Sequence, residues 1–259
     1  MPEPMNRAYD VQQEGRIFRR SRLRDQIGPD EPIFHLLEEL CIDSVISFED
    51  DFYGALNTDY WTATAIGGGT AYVRVANILG GIIRATGVTT ADDGSQLFTT
   101  NNEVYFTNTR PVMLIRHRPG ATITTSKIEV GFADAAQSGQ VNVKSTPSST
   151  GADYAVAIRD TTDDTNISLI VDGTTPAVTS VDANAAAPVW AASTYATWMI
   201  ALNEQNAAYL WIDGIFAAVQ RGNGPDDDVA LGICCDAQTR TDGNSRTHDI
   251  DYIKVVSNR

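Results

Sequence analysis

The sequence predicts an all-β fold: two packed antiparallel sheets, with an extended N-terminal arm and one short helix. From Val45 onward, short runs rich in Val, Ile, Thr, Tyr and Phe alternate with clusters of Gly, Asp, Asn and Ser, the texture of strands and turns. Asp213-Gly214 stands between Tyr209-Leu-Trp-Ile212 and Ile215-Phe-Ala-Ala-Val219, the pattern of a type I′ hairpin. Helical periodicity is confined to one short segment, so sheet-on-sheet packing has no competitor.

Taken in order, residues 1–44 form the arm. It is polar, with Ile17, Phe18, Leu23 and Ile27 as scattered apolar positions, and 14–24 shows no clear helical stripe. Pro29 and Pro32 break any regular element around Asp30-Glu31. Phe34, Leu37 and Leu40 then share one face, which predicts a short helix near 33–41. Residues 45–259 are read as one sandwich domain. Strands are placed near 44–48, 60–66, 70–75, 80–86, 95–98, 102–107, 111–118 and 127–133. Others follow near 154–159, 166–171, 195–203, 206–212, 215–220, 229–235 and 247–256. The Ala/Ser/Thr-rich stretches 135–153 and 174–194 read as long surface loops, and no repeat of fixed period stands out.

Composition narrows the function. A hydrophobic fraction of 42% in 259 residues supports a large core and argues against disorder. No run approaches the ~18 apolar residues of a membrane span, and the N-terminus lacks the apolar segment of a secretory signal. The net charge of −14 is unevenly spread. Residues 1–30 hold six arginines against five acids, whereas the rest holds 13 bases and 28 acids. Such a body repels nucleic acid and anionic membranes, so neither is an expected partner. Cys41, Cys234 and Cys235 form no spaced framework, which points to a reducing compartment and to packing. His35, His117 and His248 have no ligand spacing. No phosphate-cradling glycine loop and no nucleophile elbow occurs; Gly67-Gly-Gly69 reads as a turn.

Three short motifs carry a resemblance. Ser47-Phe-Glu-Asp-Asp-Phe52 followed by Trp61, the stretch Trp198–Gly214 ending in Ile-Asp-Gly, and Asp249-Ile-Asp-Tyr-Ile-Lys-Val-Val256 resemble the concanavalin A-like lectin/glucanase jelly rolls over roughly 45–256. The resemblance implies a jelly-roll sandwich. Enzymes of that superfamily place two glutamates and an aspartate on one strand face in a Glu-x-Asp-x-Glu-like pattern. The comparable strand here, Lys127-Ile-Glu-Val-Gly-Phe-Ala-Asp134, has Glu129 followed on the same face by Gly131 and Ala133. One carboxylate cannot serve as both nucleophile and acid, so no catalytic residue is assigned and no enzyme is expected. Lectin members of the superfamily bind Ca²⁺ through rim carboxylates. Asp226, Asp227 and Asp228 are the weak candidates, and the expectation is that no cofactor is bound. Tyr195, Trp198, Tyr209 and Trp211 are the candidate glycan-stacking face.

The arm carries the functional expectation. Arg16, Arg19, Arg20, Arg22 and Arg24, interleaved with Ile17, Phe18 and Leu23, suit docking on an acidic protein surface. Together the features resemble, in style, a tailed-phage virion protein. The expected function is a non-enzymatic capsid decoration (cement) protein, a homotrimer that binds the major capsid protein through its arm and is assembled in host cytoplasm. The alternative is a carbohydrate-binding tail or fibre module for host adsorption, with surface glycans as ligands.

Overall fold

In the computed structural model, strand alternation sorts side chains into an inward and an outward set, and the strands build two antiparallel sheets. The structure describes residues 11–13, 16–18, 45–78, 81–99, 105–136, 144, 151–173, 179–183, 190–241 and 245–258. The chain divides into two units, Met1–Ser44 and Val45–Arg259. The first holds β1 (Val11–Gln13) and β2 (Arg16–Phe18), paired antiparallel with Val11 opposite Phe18. The short helix expected near 33–41 lies outside the described residues.

The second unit opens with β3 (Val45–Asp50), β4 (Trp61–Ile66), β5 (Thr70–Arg74), β6 (Ile83–Thr86) and β7 (Gly94–Thr99). It continues with β8 (Val112–Pro119), β9 (Ser126–Ala133), β10 (Tyr154–Asp160), β11 (Ser168–Asp172) and β12 (Thr179–Asp182). Then come β13 (Ala196–Asn203), β14 (Ala207–Ile212), β15 (Ile215–Gln220), β16 (Gly232–Thr239) and β17 (Thr247–Asn258). One sheet has seven strands in the order β12-β11-β10-β9-β16-β7-β4. The other has eight: β15-β14-β13-β8-β17-β6-β5, with β3 also paired to β17. The core lies between them. Ile128, Val130 and Phe132 of β9, Leu97 of β7 and Cys235 of β16 meet Ile115 of β8, Trp198 and Ile200 of β13, and Ile253 and Val255 of β17. The sandwich expected from the sequence is therefore present, with one 3-10 turn among the described residues, at Thr107–Thr109.

The motif residues act as structural joints. Trp61 is buried, and its indole N–H donates to Asp50 Oδ2 at 2.8 Å while the Phe52 N–H donates to Asp50 Oδ1 at 2.7 Å. One carboxylate thus ties β3 to β4 across the two sheets. Asp213 and Gly214 take φ of 49° and 77°, the left-handed pair that a type I′ turn requires. One placement differs from expectation. Of the stretch 102–107, residues 102–104 lie outside the described residues, and Tyr105 forms a bridge to Leu231. β12 lies within a stretch read as loop, and pairs in register with β11. Among the described residues, no helix is long and apolar enough to cross a membrane.

Candidate functional site

Because Ile128, Val130 and Phe132 point into the core, Lys127, Glu129, Gly131 and Ala133 project from the outer face of the seven-stranded sheet. β9 is flanked by β16 and β10, and register fills in the row. Asp236 stands directly opposite Glu129, Gln96 of β7 directly opposite Asp236, and Ile158 of β10 opposite Glu129 on the other side. Directly opposed residues on neighbouring strands have Cβ atoms roughly 4.5–5.5 Å apart. Glu129 and Asp236 are thus a facing pair of carboxylates on central strands. Sequence reading found the first and missed the second, because a cross-strand partner has no fixed spacing along the chain.

The surroundings are polar and tightly closed. Lys127, Glu129, Asp236 and Tyr154 are all 0% exposed. The Lys127 Nζ lies 3.4 Å from Glu129 Oε2, which offsets the like charges. The Tyr154 hydroxyl and the Gln96 Nε2 amide are buried with no hydrogen-bond partner among the described residues. Burial pushes the Tyr154 phenol up, and the nearby carboxylates of Asp172 and Glu129 push it further. Asp160, opposite Lys127, is raised by burial, with Arg240 at 3.2 Å opposing that rise. Two carboxylates in register are groups able to exchange a proton, and the two buried donors are able to hydrogen-bond hydroxyls.

Gly131 explains why the second carboxylate is not on β9 itself. A Cβ there would sit 2.2 Å from the Ala155 carbonyl oxygen and 2.6 Å from Val156 Cα, inside the backbone of β10. No side chain fits at this position while β10 lies so close.

The other predicted residues scatter. Trp198 is fully buried on the inner face, 4.4 Å from the His117 ring and 4.7 Å from Trp190 by ring centroids. Trp198 stands opposite Ile212, which is also in the core, whereas its neighbour Met199 stands opposite Trp211 on the outer face, so the four residues do not form one face. Tyr209 and Trp211 do share the outer face of the eight-stranded sheet, stacked with centroids 6.0 Å apart. Asp227 and Asp228 are exposed, and the Asp226 N–H donates to Asp153 Oδ1 at 2.7 Å. Among the described residues, no group of three or more His, Cys, Asp or Glu is disposed to hold a metal ion. Arg16, Ile17 and Phe18 lie on β2, whereas Arg19, Arg20, Arg22, Leu23 and Arg24 lie outside the described residues. Two histidines far apart in sequence do meet: His117 Nδ1 is 2.8 Å from His248 Nε2, and the Tyr72 hydroxyl is 2.6 Å from His248 Nδ1.

No family model matches the sequence, and no curated protein does. Solved structures match throughout the sandwich. A glycoside hydrolase family 16 protein from a Bacteroides ovatus mixed-linkage glucan locus, solved with a tetrasaccharide product, has a TM-score of 0.58 at 12% identity, covering 80% of this chain and 99% of its own. An endo-β-1,4-glucuronan lyase from Trichoderma reesei has a TM-score of 0.58 at 12% identity, covering 80% and 94%. The laminarinase catalytic domain from Thermotoga petrophila has a TM-score of 0.54 at 13% identity, covering 82% and 97%. The chain has the concanavalin A-like jelly-roll sandwich fold. The expectation of a non-enzymatic capsid decoration protein is overturned here: the neighbours that share the whole sandwich are carbohydrate-active enzymes, and nothing viral supports the decoration reading. The carboxylate that faces Glu129 stands on the adjacent strand, where the pattern along β9 does not show it.

Proposed function

We propose that the protein is a polysaccharide-active sandwich that cleaves a glycosidic bond at the outer face of its seven-stranded sheet. The observation that carries this reading is the register pair Glu129–Asp236. Two carboxylates on opposite sides of a scissile oxygen divide the work, one donating a proton to the leaving group and the other acting as base or nucleophile. Gln96 and Tyr154 supply donors for sugar hydroxyls, and Lys127 holds Glu129 in place. Because these groups are withdrawn from solvent, turnover requires the face to open. The test is reducing-sugar release from mixed-linkage β-glucan and laminarin. Glu129→Gln and Asp236→Asn should each lower the rate by at least about 100-fold. Variants as active as the parent would sink the assignment.

A second reading is a polysaccharide-binding module without cleavage, favoured by Gly131 and Ala133, which leave β9 with one outward carboxylate. Retention of the inactive parent on a glucan-containing gel, with no products formed, would select it.

A further inference from the structure

The outer face of the eight-stranded sheet carries an assembly that the proposed cleavage does not use. In register across β6, β17 and β8 stand Arg84, Asp249 and Arg118. Asp249 is nearly buried and grips both guanidiniums. Arg84 donates through Nε at 2.5 Å and Nη2 at 2.8 Å, and Arg118 through Nε at 2.9 Å. The neighbouring Arg116 is braced by Asp251, and the Tyr195 ring lies 4.1 Å from the Arg116 guanidinium and 4.7 Å from that of Arg118. Each arginine has five N–H donors, and the aspartates engage only one edge of each. Arg84 and Arg118 keep Nη1, and Arg116 keeps Nε and Nη2, without a partner among the described residues. Three arginines gather here beside Asp249 and Asp251, with Asp51 near Asp251, on a chain of net charge −14.

Beside it runs an apolar strip. Tyr209 and Trp211 stack on β14, and Phe216 of β15, 44% exposed, meets Trp211 edge-on with centroids 5.7 Å apart. Trp211 and Leu114 both pair with Met199, so the strip begins two strands, about 10 Å, from the strand that bears the arginines. Fixed donors with an open edge suit carboxylates, and aromatic rings suit the C–H faces of sugars.

We propose that this face is a second binding site, for an anionic polysaccharide bearing uronic-acid residues. Its carboxylates meet Arg116 and Arg118, and its rings cross Trp211 and Phe216. The site is separate from Glu129 and Asp236 and does not depend on their chemistry.

The experiment is calorimetric titration of the full chain with an oligomer of β-1,4-linked glucuronate, a neutral mixed-linkage glucan oligomer and a single-stranded DNA oligomer. The glucuronate oligomer should bind, and binding should weaken as salt rises. It should fall at least tenfold in Arg116→Gln and in Phe216→Ala, a half-buried and an exposed position whose folding is checked by circular dichroism. It should persist in the Glu129→Gln/Asp236→Asn double variant. Loss only in the double variant would move the ligand to the other sheet and overturn the proposal. Equal binding of the neutral oligomer, tighter binding of DNA, or no binding of the glucuronate oligomer would overturn it as well. The cleavage assay is read independently, so failure of either idea is separable from failure of the other.

Discussion

His117 Nδ1 and His248 Nε2 face each other at 2.8 Å inside the sheet-to-sheet core, with the Tyr72 hydroxyl 2.6 Å from the far nitrogen of His248. Both rings are fully buried, and burial holds both in the neutral form. It lowers His117 well below its ordinary value and brings His248 down to about 3.

This pair makes the fold acid-labile. Above pH 6.5 the histidines are neutral folded or unfolded, and the network costs nothing. As pH falls from 6.5 towards 3, the unfolded chain takes up protons that the folded chain refuses, so stability is lost. His248 contributes a loss approaching about 1.4 kcal/mol per pH unit in that window, and His117 acts in the same direction. Urea midpoints measured from pH 7.5 to 4 should fall steadily, and less steeply in His117→Gln. A flat profile would contradict the burial of these rings.

Asp236→Asn and Glu129→Ala should part company on stability. The first removes a like charge opposite Glu129 and should leave the melting temperature unchanged or raise it while abolishing cleavage, a trade typical of working sites. The second removes the Glu129 carboxylate from the buried Lys127 ammonium, which keeps Asp160 opposite it, and should cost about 3–5 kcal/mol. Scanning calorimetry on both variants decides the matter.

Gly131→Ala should destabilise without touching any carboxylate. Its new methyl meets backbone atoms of β10 at 2.2 and 2.6 Å, which cannot move aside as a side chain can. A loss of about 1–3 kcal/mol is expected in chemical denaturation.

Asp50→Ala should cost about 1–3 kcal/mol, because the buried Trp61 indole N–H then has no acceptor. Trp61→Phe in the same background should recover part of that loss, since the orphaned donor is gone.

Much of the fold was legible because alternation and turn chemistry are local. Asp213-Gly214 announces its hairpin, and Ser47–Phe52 followed by Trp61 announces an entry strand, which Asp50 ties to β4 of the other sheet. β12 escaped because Thr179–Asp182 sits in an Ala/Ser/Thr-rich stretch whose strand character comes from pairing with β11. The site was half legible. Glu129 showed in its own strand, whereas Asp236, His117 and His248 gain their meaning from register, which sequence spacing does not encode. The one available signal was Asp236 following Cys235 in an apolar run, where an acidic residue on the outward parity calls for a reason. Trp198 failed on parity, a check the sequence did offer.

Cys234 and Cys235 are consecutive on β16, so they belong to different layers: Cys234 to the apolar cluster on the outer face and Cys235 to the core between the sheets. Burial raises both thiols, and neither reacts while its layer stays shut. With Cys41 changed to Ser, the dipeptide becomes a two-channel clock. The rate at which Cys234 takes up an alkylating reagent times the opening of the carboxylate face, and the rate at Cys235 times the parting of the sheets.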